Sequence, residues 1–127
     1  MDENEIARDV VDVAFQLHSK LGPGLLESVY EELFIHKLRE RGLEVDEQVE
    51  LPVTFENKKF KSTFRIDILV ENKIIVELKS VEQLLPVHKK QLLTYLRLAD
   101  KRLGLLINFG SALIRDGIKR IVNNLEE

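Results

Sequence analysis

Thr63 to Lys79 reads TFRIDILVENKIIVELK, and how that stretch pairs with itself decides the fold. Two runs rich in Ile, Val and Phe, Phe64 to Val70 and Ile74 to Ser80, flank the polar Glu71-Asn72-Lys73, the composition of two strands and a tight turn. Asp67, Glu77 and Lys79 lie inside the apolar runs rather than at their ends. Side chains alternate along a strand, so Phe64, Ile66, Ile68 and Val70 are expected on one face and Arg65, Asp67 and Leu69 on the other. Ile74, Val76 and Leu78 then point to the core, and Ile75, Glu77 and Lys79 share the opposite face. With a three-residue loop at Glu71 to Lys73, Val70 pairs with Ile74, and counting back sets Asp67 opposite Glu77 and Arg65 opposite Lys79. Facing carboxylates destabilise a sheet unless something positive lies between them. A divalent cation is the expected occupant, because hard cations take carboxylate oxygens. A two-residue loop would put the two acids on opposite faces.

Working outward, residues 47 to 62 read as strand, turn and strand, with Val49, Leu51, Val53 and Phe55 alternating and Asn57-Lys58 as the turn. Pro52 suits an edge strand. Joined to the first hairpin, they make a three-stranded antiparallel meander ending at Ile74 to Ser80. Pro86 opens a helix running to about Ala99, with Leu92, Leu93, Leu96 and Ala99 on its buried face. The apolar run Leu103 to Phe109 follows, and a right-handed crossover sets it parallel to Ile74 to Ser80. Two helices precede the strands. The first spans residues 3 to 21, with Ile6, Val10, Val13, Ala14, Leu17 and Leu21 in a stripe. The second spans Leu25 to Arg41, with Leu26, Val29, Tyr30, Leu33 and Leu38 as its stripe and Gly42 as a left-handed cap. Gly110 to Glu127 is read as a helix on Ile118, Ile121, Val122 and Leu125, with an edge strand at IKRIV as the alternative. The expected class is α/β, a mixed sheet of an antiparallel meander plus a parallel strand, flanked by α-helices.

The 127 residues predict one domain, 1–127, and 44% hydrophobic content supplies a core without staples. No cysteine is present, so neither disulfides nor thiolate zinc sites enter. The acidic start MDENEIARD leads into a helix pattern rather than a targeting peptide, and no apolar run approaches the ~18 residues of a membrane span; a cytoplasmic location is expected. The formal charge of −3 argues against nucleic-acid binding by bulk electrostatics. Two local clusters remain, Lys58, Lys59, Lys61 and Arg65 in one and Lys89, Lys90, Arg97, Lys101 and Arg102 in the other. Both read first as solvated surface.

An Asp on one strand, Glu-x-Lys on the next and a Glu on an earlier helix suit metal-dependent phosphodiester hydrolysis. Carboxylates hold Mg²⁺ or Mn²⁺, and the metal polarises the phosphoryl oxygen and activates water. A lysine alongside orients or deprotonates that water and stabilises developing charge. Asp67, Glu77 and Lys79 fit those roles. Glu27, in the first turn of the second helix, complements the helix dipole when taken alone and could complete the set. His88, Gln91 and Tyr95 make a polar line along the third helix, and His18 sits at the edge of the first helix's apolar stripe.

The chain resembles the PD-(D/E)-x-K nuclease superfamily and, within it, the small proteins named for a G-x-x-E-x-x-Y motif, here Gly24-Leu25-Leu26-Glu27-Ser28-Val29-Tyr30. The resemblance runs through LGPGLLESVYEE, FRIDILVENKIIVELKSVEQLLPVH, QLLTYL, GLLINFG and GIKRIV. It implies a restriction-endonuclease-like core with Glu27, Asp67 and Glu77 as metal ligands and Lys79 as the catalytic lysine. Gln91 and Tyr95 would be the Q-x-x-x-Y helix motif of the exonuclease branch. His18 and His88 fall near the site in this resemblance without a defined role. Ile66 stands where the superfamily's name has Pro, a substitution the superfamily tolerates. The first expectation is a Mg²⁺- or Mn²⁺-dependent nuclease acting on DNA, with RNA as second choice; a homodimer or partner subunit would supply further binding surface. The alternatives are a non-catalytic nucleic-acid or protein interaction module on the same fold, and an ordinary charge cluster in which Arg65 and Lys79 neutralise the acids.

Overall fold

The computed structural model describes residues 1–126. Helix α1 (Glu3–Leu21) is opened by a capping box, in which the Asp2 carboxylate accepts the Glu5 N–H and Glu5 returns a bond to the Asp2 N–H. Helix α2 (Glu27–Glu40) ends where Gly42 takes φ 83, and the Leu43 N–H reaches back to the Leu38 carbonyl. Its buried face is Tyr30, Phe34, Ile35 and Leu38, while Leu26 is 73% exposed and Val29 is also exposed. The stripe is thus rotated from the expected one: Phe34 packs edge-on against Phe109 in the core, and the apolar residues of the first turn are left outside.

Strands β1 (Val45–Phe55), β2 (Lys58–Val70), β3 (Ile74–Lys79), β4 (Leu103–Asn108) and β5 (Ile118–Val122) form one sheet in that order. The β3–β4 pair is parallel and the others antiparallel, with α3 (Pro86–Ala99) making the crossover. The meander and the parallel strand match the expectation. Asn57-Lys58 does not form the first turn; Glu56 and Asn57 do, both left-handed, as a two-residue hairpin on the right-twisted strands demands. The C-terminal segment also differs. A short helix α4 (Ile114–Gly117) leads into strand β5 rather than a long helix; Glu127 lies outside the described residues. Ile118 packs in the cluster on the α1 side and Ile121 in the one on the α3 side. Their three-residue spacing mimics a helix, but the two residues serve opposite faces of a strand that caps the fully buried β4.

Helices α1 and α2 cover one face of the sheet, packing on Ile68, Val70, Ile74, Val76, Leu78, Leu105 and Ile107. Helix α3 covers the other, where Leu92 and Leu96 meet Phe64, Ile66, Leu69, Ile75 and Leu106. Strand β3 is therefore buried on both faces, Ile75 included, as a strand with helices above and below must be. Phe64, Ile66, Ile68 and Val70 do not share a face, contrary to simple alternation: the first two point to α3, the last two to α1 and α2. The switch falls at Asp67. Its ladder position in β1 is Gln48, between Glu47↔Ile68 and Val49↔Ile66, and Gln48 has φ 50. Both strands reset their alternation at that rung, with Val45 on the α1 side and Val49, Leu51 and Val53 on the α3 side.

Candidate functional site

The β2–β3 turn has the length the register needs. Val70 pairs with Ile74, Leu69 with Ile75 and Ile68 with Val76; Glu71 and Asn72 take positive φ, and the Lys73 N–H bonds the Val70 carbonyl at 3.0 Å. The ladder stops one rung short of the acids, and their side chains take over. Glu77 Oε1 accepts the Asp67 N–H at 3.3 Å, and Asp67 Oδ2 accepts the Leu78 N–H at 3.4 Å. Each carboxylate thus holds the other strand's backbone, and the two are adjacent at the end of the sheet. Glu77 is only 7% exposed. Burial pushes its carboxyl up to about 9, with the Asp67 carboxylate adding to the rise and the Lys79 ammonium opposing it.

Lys79 ends β3, half-buried, with Asn108 as its ladder partner. Neither Arg65 nor Lys79 forms an ion pair with Asp67 or Glu77 among the described residues. The acids are not neutralised as an ordinary cross-strand cluster would be. Glu27 opens α2 on the surface. Partial desolvation raises its carboxyl, Lys79 lowers it, Asp67 raises it and His88 lowers it, so Glu27 feels the same charges as the sheet-end pair. Tyr95, half-buried on α3, rests against Phe64 with ring centroids 5.2 Å apart; burial raises its phenol, and the Glu77 and Asp67 carboxylates raise it further. Gln91, one turn earlier, is exposed. His88 Nδ1 accepts the Leu85 N–H at 3.1 Å, capping the start of α3 and leaving Nε2 to carry the proton of the neutral ring. His18 is buried and tied through Nε2 to the Ser111 carbonyl at 2.8 Å.

A buried carboxyl beside a second one, with no ion-pair partner among the described residues, is an electrostatic deficit that a hard cation would fill. No three His, Asp or Glu side chains among the described residues gather closely enough to cage a metal ion. An ion in this arrangement would draw on Asp67 and Glu77 and complete its shell from backbone oxygen, water or substrate, the usual habit of Mg²⁺. The groove of about 670 Å³ beside α2, lined by Ser28, Glu31, His36, Arg39 and Glu47, does not include Asp67, Glu77 or Lys79.

Several supporting residues escape sequence reasoning. Tyr30 is wholly buried, stacked on Phe109 at 4.5 Å; its hydroxyl donates to the Gly22 carbonyl and accepts the Leu25 N–H. Ser80 Oγ donates to the Leu25 carbonyl at 2.8 Å. The loop before Glu27 is therefore pinned both to its own helix and to the end of β3, which gives the Glu and Tyr of G-x-x-E-x-x-Y a physical link. Asn108, 1% exposed, accepts the Val81 and Gly110 N–H groups at Oδ1 and donates to the Val81 carbonyl and Ser111 Oγ. That knot fixes the chain leaving β3 just past Lys79. Glu31, one turn after Glu27, accepts Gln48 Nε2 at 2.6 Å; its carboxyl is raised by burial, lowered by that bond and raised again by Asp67. The only sequence signal for Asn108 was a polar residue ending an apolar strand; Glu31 gave none.

The family model of the PD-(D/E)XK nuclease superfamily matches residues 4–121. Among solved structures, the crystal structure of SSO0001 aligns with a TM-score of 0.56 at 24% identity, covering 79% of this chain and 52% of that one. This chain spans about half of SSO0001, and at that identity the likeness speaks to the fold alone. A search of curated proteins finds no match. The five-stranded mixed sheet with helices on both faces is a restriction-endonuclease-like fold, and with a family match over nearly its whole length the chain belongs to the PD-(D/E)XK nuclease superfamily.

Proposed function

We propose that this protein is a divalent-metal-dependent nuclease that hydrolyses phosphodiester bonds of DNA, with RNA as second choice, and that it belongs to the G-x-x-E-x-x-Y group. One observation carries the reading: Asp67 and Glu77 abut at the sheet end, each bonded to the other's strand, with no cation among the described residues ion-paired to either. Divalent metals are typical of the superfamily, and Mg²⁺ or Mn²⁺ suits two carboxylate donors. When bound, the metal polarises the phosphoryl oxygen and activates water. Asp67 and Glu77 would hold it. Lys79, on the same strand, stabilises charge developing on the attacked phosphate and orients the water. Glu27, whose carboxyl feels Lys79 and Asp67, would be the third ligand, and Tyr95 with Gln91 would line the substrate side from α3. The purified protein with Mn²⁺ is expected to cut single-stranded or branched DNA. Lys79→Ala is expected to abolish cutting while leaving the thermal melt intact; equal residual activity in both proteins would mark a contaminant and sink the reading.

A second reading, a non-catalytic nucleic-acid or protein interaction module, draws support from the absence of a three-ligand cage among the described residues. Titration calorimetry with Mn²⁺ separates the two. Binding that is lost on Asp67→Asn supports the nuclease, whereas no heat from either protein supports the module.

A further inference from the structure

Strands β1 and β2 outrun the rest of the sheet. Strand β3 ends at Lys79, opposite the Arg65 level of β2, whereas β2 begins seven residues earlier at Lys58. The ladder continues through Pro52↔Thr63 and, after a shift, Thr54↔Lys59 and Phe55↔Lys58, to the turn at Glu56 and Asn57. The result is a two-stranded arm that leaves the sheet at its carboxylate end and reaches ~20 Å past it.

The arm's surface contrasts with the rest of the protein. Lys58, Lys59, Lys61 and Arg65 are all exposed, and none forms an ion pair among the described residues. Glu56 is the one acidic residue from Thr54 to Arg65, so this segment carries +3 in a chain of −3, leaving the remainder at −6. Its aromatics are exposed as well, Phe55 by 61% and Phe60 by 44%. Phe55 stands across from Lys58, and Phe60 follows two residues later on the same face, with Lys58 Nζ 5.5 Å from its ring centroid. That face is the one on which Phe64 meets Tyr95, whose phenol feels Glu77 and Asp67. A line of rings therefore runs from the arm's tip to the carboxylates, with Lys58 beside it on the same face and Lys59 and Lys61 on the ribbon's other face. Exposed rings on a two-stranded ribbon give it no core of their own. Rings interleaved with unpaired cations are what a single-stranded nucleic acid needs, since its bases stack on aromatic faces while its phosphates meet ammonium groups.

We propose that the β1–β2 arm is the substrate-gripping element of this protein, holding a single-stranded nucleic acid by stacking on Phe55 and Phe60 and by phosphate contacts to Lys58, Lys59, Lys61 and Arg65. The proposal rests on the nuclease-superfamily reading and supplies the basic surface that the overall charge denies. An acidic body repels the rest of the polyanion, so only the arm and the site at its root engage it.

The test is fluorescence anisotropy of a labelled oligothymidine, and of a matched hairpin duplex, in EDTA so that binding is read without cleavage. Three variants are compared with wild type: Lys58→Ala/Lys59→Ala/Lys61→Ala, Phe55→Ala/Phe60→Ala, and Arg102→Ala as an exposed cation at the far end of the sheet. The triple lysine variant is expected to bind at least tenfold more weakly and to lower the slope of log K against log salt by roughly 2. The phenylalanine variant is expected to lose roughly tenfold on the single strand and little on the duplex. Arg102→Ala should bind as wild type does. All the substituted side chains are exposed, so unchanged melting curves certify the fold. Wild-type binding that survives both arm variants overturns the proposal, and so does a wild-type protein that binds no single strand at low salt. Cleavage in Mn²⁺ is scored separately: arm-dependent binding without Lys79-dependent cutting leaves the arm standing and removes the nuclease, and Lys79-dependent cutting with arm-independent binding does the reverse.

Discussion

Replacing Glu77 with Gln should make this protein more stable and, if the nuclease reading holds, inactive. Folding raises the Glu77 carboxyl from 4.5 to about 9. Between those values the folded chain keeps a proton that the unfolded chain has released, so stability falls as pH rises, by up to ~1.4 kcal/mol per pH unit. From pH 5 to pH 8 the loss approaches ~4 kcal/mol. Gln titrates nowhere in that range. Its carbonyl oxygen can still accept the Asp67 N–H that Glu77 Oε1 accepts at 3.3 Å, and its amide can donate to the Asp67 carboxylate. Urea denaturation in EDTA at pH 5, 6, 7 and 8 reads the effect. The two proteins should differ by less than ~1 kcal/mol at pH 5 and by ~2–4 kcal/mol at pH 8 in favour of Gln, a midpoint shift of ~1–2 M. Saturating Mg²⁺ should flatten the wild-type slope, because a cation between the carboxylates replaces the proton, and should leave Glu77→Gln unmoved. A variant curve parallel to wild type across pH, or one less stable at pH 8, would falsify the view that a buried carboxyl here is kept from ionising on folding.

Other changes probe the supports. Tyr30→Phe strands the Gly22 carbonyl and the Leu25 N–H and should cost about 1–3 kcal/mol in urea, with weaker Mn²⁺ binding by calorimetry if Glu27 reaches the ion; unchanged stability would show that the loop is held without the hydroxyl. Asn108→Ala removes all four of that side chain's bonds at a site 1% exposed and should cost roughly 3 kcal/mol. A thermal melt within a degree or so of wild type would count against the knot. At Gly110 a Cβ would lie 2.2 Å from the Val81 carbonyl oxygen, so Gly110→Ala should cost ~3 kcal/mol or more, read as a lowered melting temperature or loss of soluble protein.

Much of this could be read from the chain because local chemistry and global fold agree. The three-residue turn after Val70 fixed the Val70↔Ile74 register, and with it the meeting of Asp67 and Glu77, since period-two geometry leaves little choice once a loop length is set. Pro52 on an outer strand, Pro86 at a helix start and Gly42 at a helix end were equally local signals. What escaped was decided at long range. No feature near Asp67 announces that β2 changes faces there, because the cause lies partly in Gln48 on another strand. Ile118 and Ile121 carry a helical spacing that only the open edge of β4 turns into a strand. Tyr30 read as an ordinary core residue and Asn108 as a strand end; the Tyr30 hydroxyl bonds residues 5 and 8 positions away, and Asn108 reaches Val81, 27 positions away.

The face change at Asp67 has a consequence for how this chain can vary. Deleting that one residue would restore an unbroken alternation to β2 and would look, by pattern alone, like an improvement. It would leave Phe64 and Ile66 on the α3 face where they already lie, because the faces on either side of Asp67 are those of a regular strand with that residue taken out. The acid is an extra residue set between two regularly alternating halves of β2, so a drifting lineage that dropped it would keep both packed faces of the strand and lose only the carboxylate.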